Sequence, residues 1–271
     1  MGKRDNLMLK VDELACSVLS AKSGLLFKLK ANKKLYSKNA KLKTDNINQN
    51  VCFVLGNGPS LKTVNFDDIK NHPCMTVNMF YRGTDTYFSD YHLFLDPVFS
   101  EDSHFGYVKE ICEKSPDTKL IVQEPLYKRL CKENIPTDNV HMIAPKLVQC
   151  KNEIKYDMTK CMTGSLNVIP VAIECAMYMG YKKIYLLGCD FNSYAVCKDE
   201  HFYEQKADEN VFGRAHEVGD LIRCALVHKQ HYAIDDAARK AGIEIVNLTE
   251  GSLVNAYKKE KYAKEIETLK G

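Results

Sequence analysis

The sequence predicts an α/β fold, a mostly parallel sheet with helices on both faces. Three observations predict it. Short, unbroken apolar runs recur along the chain, as expected of strands buried on both faces. Helical stretches separate many of these runs, and glycines stand where those stretches end, which is the spacing that parallel crossovers need. The first run ends in a glycine-rich turn, the Rossmann-like arrangement of a strand followed by a ligand-approaching loop.

Taken in order, residues 1–50 form a basic, partly helical N-terminal extension. They carry 11 Lys/Arg against 4 Asp/Glu, whereas the remainder carries 27 against 31. Asp12 to Lys30 has a helical apolar pattern (Leu14, Val18, Leu19, Leu25, Leu26), and the polar stretch from Lys33 to Asn50 is expected to be loosely ordered. A solvated arm, or a helix packed on the domain, outweighs peripheral contact with the inner, anionic membrane surface or with a partner, because the apolar stripe is short. The catalytic-type domain spans 51–255. Its strands are expected at Val51–Leu55, Met75–Val77, His92–Leu95, Leu120–Val122, Val140–Ile143, Lys183–Leu187 and Ile243–Val246, with helices at Ser165–Met179 and Gly219–Ala241. Gly180 and Gly242 stand where helix-ending glycines belong. A lid is expected at about 192–218 and a helical tail at 256–271.

Composition narrows the function. The 271 residues are 45% hydrophobic and 27% charged, ordinary for a soluble protein. No run of about 18 apolar residues crosses a membrane, and Met1–Lys10 lacks the apolar run of a secretory signal, so a cytoplasmic protein is expected. The slightly acidic domain argues against a general nucleic-acid binder. Eleven cysteines include no Cys-x-x-Cys pair, which points to reduced core thiols and away from a zinc knuckle. Oligomeric state stays open.

Four features carry chemistry. The turn Gly56-Asn57-Gly58-Pro59-Ser60 follows the first strand. Its glycines admit close backbone approach, and its amides, with a following helix, suit phosphate oxygens. It is neither a dinucleotide fingerprint nor a Walker loop, since Leu61 holds the third glycine position and no Gly-Lys-Ser/Thr follows. Alone, it reads equally as an ordinary tight turn. Asn78, Asp96 and Asp190 end three other apolar runs, so they are expected to converge on a crevice at the carboxyl edge of the sheet; each alone is explained by a local turn. Thr163-Gly164-Ser165 precedes an apolar helix that Ser165 or Thr163 would cap, with an anionic ligand suiting the same helix end. Histidine is the natural base near neutral pH. His201 lies in a lid-like loop and His216 follows it, while His228 and His231 read more readily as helix-surface residues. Asp96 and Asp190 each stand alone, so no metal site is indicated.

These residues resemble a known family. Val54-Leu55-Gly56-Asn57-Gly58-Pro59-Ser60-Leu61-Lys62 is similar to the first motif of the single-domain bacterial sialyltransferases that act on lipooligosaccharide. Thr163-Gly164-Ser165, Val171-Ala172-Ile173 and Gly180 through Phe191 are similar to that family's second block. Both blocks are shared with a broader group of surface-polysaccharide proteins that includes a 6-hydroxymethylpterin pyrophosphokinase-like domain. The resemblance implies a glycosyltransferase using a CMP-sugar and a glycan or glycolipid acceptor, by metal-independent inverting displacement and without a cofactor. It implies that Gly56, Asn57 and Gly58, within the Gly56–Ser60 turn that includes Pro59, contact donor phosphate and ribose, and that Asn78 and Thr163–Ser165 hold nucleotide and sugar. Asp96 stands where the family has asparagine. Asn192 stands where the family has a tyrosine that bonds the departing phosphate, with Tyr194 as its substitute. For the base, loop position selects His201, and counting back from Gly251-Ser252 leads near His228; His216 is the third candidate. Two rivals remain: a magnesium- and ATP-dependent pyrophosphokinase-like transferase with Asp96 and Asp190 as metal ligands, and a non-catalytic polysaccharide-assembly scaffold.

Overall fold

The computed structural model describes residues 3–45, 50–84, 89–149, 153–192 and 217–270. The helices are α1 (Lys3–Lys30), α2 (Lys33–Ser37), α3 (Ala40–Asp45), α4 (Asp102–Lys114), α5 (Glu124–Lys132), α6 (Val168–Met179), α7 (Glu217–Lys240) and α8 (Tyr262–Lys270). The strands are β1 (Val51–Leu55), β2 (Cys74–Val77), β3 (Tyr91–Phe94), β4 (Lys119–Val122), β5 (Val140–Met142), β6 (Ala144–Leu147), β7 (Cys161–Thr163), β8 (Lys183–Leu187), β9 (Glu244–Asn247) and β10 (Lys258–Lys259).

Eight strands form one sheet in the order β10-β9-β8-β1-β2-β3-β4-β5, and every described pairing is parallel. β6 and β7 form a separate parallel pair. All seven expected strands are present. The apolar runs are continuous because both faces are covered. Val54, Met75, Leu93, Ile121, Ile184 and Leu186 pack in one core with α6, whose residues from Ile169 to Met179 are all buried. The alternate residues Phe53, Leu55, Tyr185 and Leu187 pack on the other face with Ile266 of α8. Phe94, Leu120 and Val122 meet Phe105, Val108 and Ile111 of α4 and Leu126 and Leu130 of α5 there. Gly180 closes α6 in the left-handed region at φ 100°.

Residues 33–45 depart from expectation. They form α2 and α3 and are stitched to the domain. Tyr36, Asn39 and Leu42, three residues apart, are all buried. Asn39 Nδ2 donates to the carbonyls of Met142 and Met158, each at 2.8 Å. Lys38 Nζ donates to the carbonyls of Thr137 (3.0 Å), Asp138 and Val140 (3.2 Å). A lysine-rich segment looks solvated in sequence, yet one polar and two apolar side chains at helical spacing suffice to dock it.

Among the described residues, no helix is long and apolar enough to cross a membrane. The nine cysteines described are all free. Burial pushes the Cys189 thiol up to about 12, so it is an inert core thiol.

Candidate active site

Strand order reverses beside β1. The chain runs outward from β1 through β2 to β5, then returns to β8 on the other flank of β1. Ligands of open parallel sheets bind at such a reversal, outside the carboxyl ends of the strands. The turn 56–60 and residues 188–190 leave the sheet there.

These two loops lock together. Gly56 N–H donates to Leu187 O at 2.8 Å and Gly58 N–H to Gly188 O at 2.9 Å, extending the β1–β8 ladder past its last residues. A Cβ on Gly56 would lie 2.3 Å from Gly188 O, and one on Gly58 1.8 Å from Asp190 Oδ2. Asp190 Oδ2 accepts the Ser60 hydroxyl at 2.7 Å, and Oδ1 accepts the Ser60 N–H at 3.2 Å. Burial pushes the Asp190 carboxyl up, and the Ser60 bonds oppose that only in part. These bonds bear on the expected phosphate cradle. The amides of Gly56, Gly58 and Ser60 already donate within the protein, and these glycines admit a neighbouring loop. No α-helix follows either. Pro59–Thr63 is a 3-10 turn, and Asn65 Oδ1 then accepts Asp67 N–H at 3.2 Å to start a new turn. So short a turn carries little dipole.

The β2 side differs. Asn78 sits in the left-handed region at φ 50°, a conformation asparagine tolerates better than most residues. Its N–H donates to Leu93 O at 2.9 Å. Its carbonyl meets His92 Nε2 at 2.8 Å, and His92 Nδ1 meets Thr76 Oγ1 at 2.8 Å. A carbonyl only accepts, so Nε2 carries the ring proton and Nδ1 accepts from threonine. Burial drives His92 down to about 3, against the opposing bond to Asn78, so the ring is neutral. Asn57 Nδ2 donates to Val77 O at 3.3 Å. The side-chain oxygens Asn57 Oδ1 and Asn78 Oδ1 are both buried without a hydrogen-bond partner among the described residues. Such an acceptor costs about 1–3 kcal/mol until something donates to it.

The segment after β7 is fixed by its own neighbours. Thr163 is buried, and its Oγ1 accepts Lys155 N–H at 2.9 Å. Gly164 N–H donates to Leu147 O at 2.8 Å, and Gly164 O accepts from Gln230 Nε2 at 3.2 Å. Neither Thr163 nor Ser165 caps α6. Asn167 does, accepting Ile169 N–H at 2.9 Å, while Ser165 Oγ accepts Asn167 N–H at 3.2 Å. The cap therefore falls two residues after Ser165 and four after Thr163, at an asparagine, which caps as well as serine. Gln230 also donates to Glu174 Oε1 at 3.1 Å. Glu174 is fully buried, its Oε2 has no partner among the described residues, and burial pushes its carboxyl well above the ordinary range, with Gln230 opposing.

Two residues before Gln230, on the same helix, His228 is half-buried and meets the edge of Phe191 at 5.0 Å between ring centroids. Phe191 follows Asp190 at φ 49°. Burial lowers the His228 pKa, favouring the neutral ring. The surface reading of His231 is corrected: it is buried, within 2.8 Å of the Tyr257 hydroxyl through Nδ1, and driven down to about 3, chiefly by burial. Asp96 is exposed and its Oδ1 accepts Val98 N–H at 3.0 Å, capping a short turn. Asn192 closes a described stretch. His201, His216, Tyr194 and the other lid residues 193–216 lie outside the described residues, while 217–218 open α7. Among the described residues, no three His, Cys, Asp or Glu side chains gather as metal ligands do. The sequence reading did not single out His92, Glu174 or Gln230. Glu174 carried a legible signal, the one charge in an otherwise apolar helix. Two grooves of about 320 and 480 Å³ share Lys43, Tyr156 and Tyr178, and the larger reaches Asn50 and Lys182, next to the amino ends of β1 and β8.

The fold and site thus define a parallel α/β protein with polar strand ends gathered at its strand-order reversal. No family model matches the chain, and no curated protein matches its sequence. Among solved structures, the chain is similar to the sialyltransferase CstII from Campylobacter jejuni in complex with the substrate analogue CMP-3FNeuAc, at 16% identity over 77% of this chain and 85% of that one, with a TM-score of 0.46. It is also similar to the sialyltransferase CST-II in complex with a trisaccharide acceptor and CMP, at 16% identity over 77% of this chain and 84% of that one, with a TM-score of 0.46.

Proposed function

We propose that this chain is a glycosyltransferase that draws a sugar from a CMP-activated donor and passes it to a hydroxyl of a surface-glycan acceptor. The observation that carries the reading is the pair of buried oxygens on Asn57 and Asn78, without a hydrogen-bond partner among the described residues, beside the strand-order reversal. An amide oxygen needs a donor. Phosphate oxygens offer only lone pairs, whereas ribose, a base amino group and sugar hydroxyls bring hydrogens. The crevice therefore suits the nucleoside and sugar parts of a ligand better than a bare phosphate. The choice of cytidine rests on the resemblance of residues 54–62 and 163–191 to the sialyltransferase blocks.

In this reading the acceptor oxygen attacks the anomeric carbon from the face opposite the phosphate. The carbon–phosphate-oxygen bond breaks, its electrons leave with CMP, and the anomeric centre inverts. The acceptor proton passes to a histidine. His228 suits that role because burial keeps its ring neutral next to Phe191; His201 and His216 are the other candidates. Tyr194, with Asn192, is the candidate for bonding the departing phosphate. The Thr163–Ser165 segment, held by Lys155, Leu147 and Gln230, forms the side wall against the donor sugar. Preorganised groups of this kind contribute on the order of several kcal/mol. The reaction needs no metal.

A thermal-shift screen of CMP, UMP, GDP and ATP, with magnesium or with EDTA, tests the reading. CMP is expected to raise the melting temperature equally in both conditions. A shift only with magnesium and ATP would favour the pyrophosphokinase reading, and no shift with any nucleotide would favour the scaffold. Among His201→Ala, His216→Ala and His228→Ala, one is expected to lower turnover about 10²–10⁴-fold without weakening CMP binding.

A further inference from the structure

One face of α1 has no partner among the described residues. Leu14, Val18, Leu25 and Leu29 are spaced four, seven and four residues apart, which at about 3.6 residues per turn holds them in one narrow stripe. They are 67%, 60%, 57% and 72% exposed. Leu19 and Leu26, seven apart, run beside them and are also exposed. The opposite face is fixed to the domain. Ser20 Oγ donates to Val148 O at 2.7 Å, Gly24 faces Leu147, and Phe27 lies edge-on to Tyr36 at 4.8 Å. The helix is apolar on two sides, and the described residues of the domain cover only one of them. An exposed apolar strip of this kind marks an interaction surface.

Charge selects the occupant. Residues 14–44 contain eight lysines and no aspartate or glutamate. Lys22, Lys28, Lys30, Lys33 and Lys34 are exposed. A second copy docked through the same stripe would bring two such lysine sets together, and like charges repel. An anionic surface is attracted instead, and a fluid apolar layer takes up leucines without a shaped groove. We infer that α1 docks the protein on an anionic lipid surface, with leucines in the acyl boundary and lysines at the headgroups. The site lies close by, because Leu147, against which Gly24 packs, accepts the Gly164 N–H. The inference does not rest on the proposed reaction, since CMP binding is measured without lipid.

Co-sedimentation of the full chain tests it, using vesicles of phosphatidylcholine alone and vesicles containing one-third phosphatidylglycerol. The protein is expected to pellet with the anionic vesicles and to stay in solution with the neutral ones. Reversal of three lysines (Lys22→Glu, Lys28→Glu, Lys30→Glu) should weaken partitioning by at least about 100-fold. The pair Val18→Asp and Leu25→Asp should abolish it, with an unchanged melting temperature. Failure of the wild type to pellet with anionic vesicles, or undiminished pelleting of the Val18→Asp, Leu25→Asp protein, would overturn the inference. So would a wild-type dimer in light scattering that this pair converts to a monomer, which would assign the stripe to a second copy.

Discussion

Asp190 and Asn78 both end buried strands at the same edge of the sheet, one on each flank of β1, and they are in opposite states. Asp190 has both carboxylate oxygens engaged by Ser60. Asn78 and its neighbour Asn57 each bury an oxygen that nothing described donates to. The glycine-rich turn, the feature that most resembles a ligand cradle in sequence, proves to be the seam that joins β1 to β8. The unsatisfied chemistry, where a ligand lowers the energy, lies on the β2 side. A satisfied polar cluster holds a fold together, whereas an unsatisfied one awaits a partner.

Breaking the seam should have the largest effect. Gly56→Ala places a methyl group against the backbone of Gly188, which cannot yield, and should cost about 3 kcal/mol or more in chemical denaturation. Gly58→Ala should cost somewhat less, because the Asp190 carboxylate can swing away at the loss of its Ser60 bonds. Next comes His228. If it is the base, turnover should fall about tenfold per pH unit on the acid side, with a midpoint below the ordinary histidine value of 6.5 because burial disfavours the charged ring. A pH–rate profile of wild type and His228→Ala reads this directly.

Glu174 offers a smaller effect with a defined sign. Its folded-state pKa is raised, so folding takes up a proton once pH exceeds the ordinary value of about 4.5. Its contribution is fully present below that value and is lost as pH rises toward the folded pKa. While the folded carboxyl keeps its proton, stability falls by up to about 1.4 kcal/mol per pH unit, compared most cleanly at about pH 7 and 8, where the unfolded forms of His92 and His231, whose folded rings are depressed, have largely lost their protons. Glu174→Gln should remove that slope in urea melts at the two pH values. The smallest effects on stability belong to the asparagines. Asn57→Ala and Asn78→Gly, the latter keeping the left-handed backbone accessible, should melt within about 1 kcal/mol of wild type, since each deletes a buried acceptor without a partner among the described residues and Asn57→Ala gives up in addition only the long 3.3 Å bond to Val77 O.

Much of the fold was legible in sequence. Val51–Leu55 and Lys183–Leu187 are unbroken apolar runs, and only strands covered on both faces read so. β6 was not legible, because Ala144-Pro145-Lys146-Leu147 carries a proline and a lysine and pairs only with a three-residue strand. Residues 33–45 were misread because lysine content hid Tyr36, Asn39 and Leu42. At the site, polar residues at strand ends were legible as a set. Which of them is satisfied was not, because that depends on the β1–β8 register, which brings Ser60 to Asp190 across 130 positions. His92 sits inside a strand run, and only its neighbours in space reveal that it fixes the Asn78 carbonyl.

The most direct test of the account is calorimetric titration of CMP, in EDTA, into wild type, Asn57→Ala and Asn78→Gly. CMP is expected to bind the wild type and to bind each variant about 10- to 100-fold more weakly, at one to two hydrogen bonds lost per deleted acceptor, while both variants stay as stable as the parent. Equal CMP affinity in all three proteins, or no CMP binding by the wild type, would contradict it.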